Sequence, residues 1–89
     1  MFARTPQCQA VLKQYGLQQS SMAVIGADKP VGSTEWRIMV SGGVEPDYLD
    51  VQTARRLAAE LARLGEMMLS ARLSSAAETA QRLTRSPGT

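Results

Sequence analysis

The chain has 89 residues, 44% of them hydrophobic and 4% aromatic, which fits one small globular domain and argues against a disordered chain. Its 10 basic and 8 acidic residues leave a formal charge of +2, too mild to demand a polyanionic partner. Histidine is absent and Cys8 is the single cysteine, which excludes an internal disulfide, a cysteine-based zinc site and a Ser–His or Cys–His catalytic pair.

The first predicted element is a short helix over residues 6–15. Thr5-Pro6 supplies a capping hydroxyl and then a proline at the first helical position. Cys8, Val11, Leu12 and Tyr15 follow at i, i+3, i+4 and i+7, which is one apolar face. Gly16 is suited to ending this helix in a left-handed cap.

Residues 21–25 read SMAVI, a short strand. Residues 26–34 read GADKPVGST, a loop punctuated by Pro30 and Gly32. From Glu35 to Val40 the chain alternates: Trp36, Ile38 and Val40 point one way, and Glu35, Arg37 and Met39 the other. The two runs predict an antiparallel β-hairpin, which must pack on helices because an isolated hairpin is marginal.

Ser41-Gly42-Gly43 ends the second strand. Two glycines before a helix suggest a phosphate loop, but the loop continues Val44-Glu45-Pro46-Asp47, whose acids repel phosphate. Glu45, Asp47 and Asp50 lack the spacing of a calcium loop, and acids are expected where a helix begins. No catalytic, cofactor-binding or metal-ligating residues are therefore expected.

Asp50 reads as the N-cap of one long amphipathic helix, Val51–Leu73, about 34 Å long at 1.5 Å per residue. Ala54, Leu57, Leu61, Leu64 and Met68 form its stripe, widened by Val51, Ala58, Ala62, Leu69 and Leu73. Gly65 costs roughly 1 kcal/mol inside a helix, but the apolar pattern resumes in Glu66-Met67-Met68-Leu69, which favours continuity. Ser75 and Glu78 have capping-box spacing and predict a short C-terminal helix over residues 76–84. Residues 85–89 are expected to be a flexible tail. The expected fold is thus a single α+β domain over residues 1–84: a short helix, a hairpin, a long amphipathic helix and a short C-terminal helix.

The long helix carries more apolar surface than so small a domain covers. That surplus predicts a homodimer, with Leu57, Leu61, Leu64, Met67 and Met68 as candidate interface. The function expected is a non-catalytic protein-interaction module, a small regulator or inhibitor that acts by binding another protein. The alternative is a dimeric nucleic-acid-binding regulator that uses Arg37, Arg55, Arg56, Arg63 and Arg72. In outline, an alternating strand followed by helices resembles the ribbon-helix-helix repressors, whose outward strand side chains enter the major groove; the resemblance implies Arg37 and Met39 as readers. The chain departs from that pattern in pairing its strand with Ser21–Ile25 and in having no glycine-led turn between helices unless Gly65 supplies one. No apolar run approaches the ~18 residues of a membrane span, and MFARTPQCQA lacks the apolar core of a signal peptide. A cytoplasmic protein is expected.

Overall fold

The computed structural model describes residues 5–17, 23–42 and 45–85. Along them run α1 (Pro6–Gln14), β1 (Val24–Asp28), β2 (Arg37–Ser41), β3 (Asp47–Leu49), α2 (Val51–Arg63) and α3 (Met67–Arg85). The class is α+β, as expected, but the hairpin has gained a third strand and the long helix is divided.

The ends of α1 follow the chemistry of its sequence. Thr5 Oγ1 accepts the Cys8 backbone N–H at 3.1 Å, and Pro6 opens the helix without a missing bond. At the other end Gly16 takes φ 69°. Gly16 N–H then reaches the Lys13 carbonyl at 3.2 Å, and Leu17 N–H reaches that of Leu12 at 2.8 Å. This paired closure turns the chain sharply and delivers Leu17, fully buried, beside Leu12 and Cys8.

β1 begins later than expected and runs further, so Gly26, Ala27 and Asp28 are strand rather than loop. Of the expected strand, Ser21 and Met22 lie outside the described residues. The register explains the extension: Ile25 pairs with Val40, Gly26 with Met39, Ala27 with Ile38 and Asp28 with Arg37. The turn chemistry that ends β1 sits a few residues on, where Ser33 N–H bonds the Pro30 carbonyl at 2.9 Å and Gly32 takes φ 84°. β2 keeps its alternation, with Ile38 and Val40 fully buried. Trp36 falls just before β2 and is only half-buried, not a core residue. On the far side of β2, Ile38 pairs with Leu49, Met39 with Tyr48 and Val40 with Asp47. The sheet order is β1-β2-β3, antiparallel throughout, and the acidic loop expected between β2 and the helix capped by Asp50 is in part a strand.

The expected continuous helix Val51–Leu73 breaks at Gly65. That residue takes φ 91°, outside a right-handed helix. Gly65 N–H bonds the Ala62 carbonyl at 3.1 Å and Glu66 N–H that of Leu61 at 2.8 Å, the same closure that ends α1. α3 then runs unbroken to Arg85, so Ser75 lies mid-helix and caps nothing, and no separate helix begins at residue 76. α2 and α3 are antiparallel: Ser70 Oγ donates to the Ala58 carbonyl at 2.7 Å, and Arg55 Nη2 to Gln81 Oε1 at 2.7 Å. Ala54, Leu57, Ala58 and Leu61 of α2 meet Leu69, Leu73, Ala76, Ala77 and Ala80 of α3, all buried. Full burial of each leucine contributes about 1.5–3 kcal/mol, and the alanines let the helices approach closely. The surplus apolar face of the long helix is the inner face of this hairpin and the floor of the sheet.

Candidate interaction surface

The register fixes which side chains share each face of the sheet, because residues directly opposite point the same way. Ile25, Ala27, Ile38, Val40 and Leu49 lie on the face covered by helices, where Ile38, Val40 and Leu49 are buried. The other face carries Val24, Gly26 and Asp28 from β1, Arg37, Met39 and Ser41 from β2, and Tyr48 from β3. Among the described residues no element covers this second face. Val24 is 51% exposed, Tyr48 is 42% exposed and Met39 is half-buried. A side-chain carbon on Gly26 would meet nothing within 4 Å. The middle row, Gly26–Met39–Tyr48, is therefore an open apolar strip, with Val24 beside it and Asp28 opposite Arg37 at one end.

The residues expected to form an interface separate. Leu57 and Leu61 are buried inside the chain against α3, and Leu64 is half-buried. Met67 and Met68 are 62% and 79% exposed, in the first turn of α3. The cover that the sequence sought from a second copy is supplied along α2 by α3.

The five candidate arginines do not form one surface: Arg37, Arg55 and Arg56 lie around Asp50 and Gln81, whereas Arg63 and Arg72 are engaged elsewhere. Arg37 and Arg56 both lie close to Asp50. Arg55 is held by Gln81, and Arg63 pairs with Glu60 at 2.5 Å on the surface. Arg72 is half-buried, and its Nη2 donates to the Ala23 carbonyl at 2.8 Å, next to the start of β1. Arg37 stands opposite Asp28 at the end of the same strand. β2 is hydrogen-bonded on both sides, so it has no free edge from which to form a two-stranded ribbon with another copy.

Asp50 is occupied as a cap. Its Oδ1 accepts the Thr53 N–H at 2.7 Å. Hydrogen bonds from the Thr53 side chain and backbone, aided by Arg56 and Arg37, hold its carboxyl below the ordinary carboxylate value. Near it, Trp36, Arg37, Val51, Gln81, Thr84 and Arg85 border a shallow cleft of about 350 Å³. Cys8 is buried, and its thiol donates to Glu66 Oε1 at 3.7 Å, tying α1 to the turn between α2 and α3. Among the described residues no group of three potential metal ligands gathers, and no helix is long and apolar enough to cross a membrane.

Sequence reasoning missed Val24 and Tyr48 as surface residues. The signal for Tyr48 was present, an aromatic followed by leucine after a proline, but a three-residue strand is too short to show alternation.

These features define a two-layer α+β domain whose antiparallel sheet is covered on one face. No family model, curated protein or solved structure matches the chain.

Proposed function

We propose that the protein is a non-catalytic interaction module that binds another protein through the open face of its sheet. The observation that carries this reading is the apolar strip of Val24, Met39 and Tyr48 on a face that a solvated sheet would make polar. Tyrosine and methionine suit such a surface: one offers a rigid apolar body with a polar tip, the other adapts to an irregular partner. Nucleophilic or acid–base chemistry finds little support, since there is no histidine and the only thiol is buried. A nucleic-acid partner is the weaker reading, because counterion release rewards unneutralised cations on one surface, whereas Arg37 and Arg56 sit beside the Asp50 carboxylate, Arg63 pairs with Glu60 and Arg72 is half-buried on the Ala23 carbonyl. A second copy of the chain is one partner for the same face, now that the helical seam is filled from within.

The test is a photo-crosslinking residue placed at Tyr48 in the native cell, with the same residue at exposed Arg82 on α3 as control. A discrete protein adduct from position 48, lost when Met39→Lys is added, supports the module. No adduct from position 48, or the same adducts from both positions, overturns it.

A further inference from the structure

We propose that the groove between the outer edge of β1 and α3 receives the extended C-terminal segment of a partner protein as a fourth strand, with its terminal carboxylate on Arg72. This rests on the protein-binding reading but uses a surface separate from the open sheet face.

β1 lies at one end of the sheet order, and among the described residues no strand pairs with its outer side. An edge strand offers outward N–H and C=O groups to any extended chain. The other edge, β3, has only three residues and offers a much shorter ladder. Beside β1 the wall of α3 is made of small side chains: Ala71, Ser75, Ala76 and Thr79. With Ile25, Gly26 and Ala27 they border a groove of about 370 Å³, within the range of sites that hold ligands. An added strand sends alternate side chains to opposite faces. One set enters this groove; the other lies beside exposed Val24. The partner's groove-facing residues must therefore be aliphatic and of moderate size.

Arg72 sets the direction and the end of that strand. It borders the groove near the beginning of β1 and is held there by the Ala23 carbonyl. That bond engages Nη2 and leaves the rest of a planar five-donor guanidinium beside the groove. A segment running antiparallel to β1 brings its C-terminal end to this point, where a carboxylate meets a fixed guanidinium. Glu78, the acid of α3 nearest this stretch in sequence, lies instead with Arg82 and Arg85 around another hollow.

The experiment is an amide NMR titration of the whole chain with a short peptide of alternating valine and threonine ending in a free carboxylate, and with its C-terminally amidated twin. The expected result is saturable shifts in residues 24–28 and around Arg72, Ser75 and Thr79, with affinity reduced at least about tenfold by amidation. Ser75→Phe fills the groove from an exposed helical position, so it should abolish the shifts while leaving the melting curve in place. Arg72→Lys keeps the charge but loses the fork, and should weaken the free acid while leaving the amide unchanged. Equal binding of the two peptides, shifts confined to β2 and β3, or no saturable shift in β1 overturns the proposal. So does a peptide-free dimer whose β1 amides are already protected by a second copy. If β1 fails while crosslinking at Tyr48 persists, the groove is rejected and the interaction module stands.

Discussion

The carbonyl oxygen of Gly16 occupies the space that a side-chain carbon on Gly42 would need. The cap of α1 and the end of β2 thus meet backbone to backbone. A methyl group at Gly42 has no flexible side chain to push aside; a main-chain segment must move. Gly42→Ala should cost about 3 kcal/mol, the upper part of the range for overpacking. A urea melt measures it, and a loss below about 0.5 kcal/mol would show that the two segments do not touch.

Gly65→Ala tests the break between α2 and α3 by its sign. In a continuous helix, alanine for glycine would stabilise by about 1 kcal/mol. At φ 91° with open space around it, alanine meets no clash but pays for a left-handed backbone. The expected effect is a destabilisation of about 1–2 kcal/mol. A raised melting temperature would restore the single long helix.

That residue also illustrates what a sequence conceals. The apolar stripe continues from Leu61 through Leu69 to Leu73 because both arms of a helical hairpin need an inner face. Periodicity alone does not distinguish a hairpin from a rod, and Gly65 is a modest cost in one and a cap in the other. Thr5, Gly16 and Asp50 were legible as caps because one side chain, or the lack of one, decides each end locally. Ile38 and Val40 were legible because a central strand alternates cleanly. β3 was not, since its three residues, set among the acids Glu45, Asp47 and Asp50, resemble a loop until β2 is there to pair with them. Of the open face only the β2 part, Arg37 and Met39, was legible from alternation; Val24 and Tyr48 are far from it in sequence, and only the register brings them beside Met39.

Burial separates Ile38 in β2 from Trp36 just before it. Ile38 is fully enclosed, so Ile38→Ala should cost about 2–5 kcal/mol. Trp36 is half-buried beside the cleft near Asp50, so Trp36→Ala should cost less than Ile38→Ala despite its greater volume. Paired urea melts decide the order. The reverse order would place Trp36 in the core.

Leu61→Glu and Met39→Lys should part company in the same way. Leu61 is fully buried against α3, and a charge there has no partner. Far-UV circular dichroism should show Leu61→Glu unfolded at any protein concentration, because the seam is internal. Met39→Lys on the open face should keep the native spectrum. A folded Leu61→Glu variant would mean that this seam is not the core.

Acid should weaken the start of α2 through Asp50. The Thr53 hydrogen bonds, with Arg56 and Arg37 nearby, hold the folded-state carboxyl below its ordinary value of 3.8. A lowered folded value means that the unfolded chain takes up the proton first. The contribution is therefore complete well above pH 3.8, declines as the pH falls through that value, and is gone below the folded one. Glu60, lowered by Arg63, adds in the same direction, but it is a solvent-screened surface pair and adds little. Removing the cap with Asp50→Ala should cost about 1 kcal/mol at neutral pH, as N-cap replacements do. The difference from wild type should then shrink as the acid limb is crossed. Asp50→Asn caps almost as well but does not titrate, so it should keep most of the neutral-pH stability and lose less of it in acid. Denaturant melts of the three proteins across this pH range provide the measurement. If Asp50→Asn and wild type fall in parallel as the pH drops, the acid sensitivity arises from some other carboxylate.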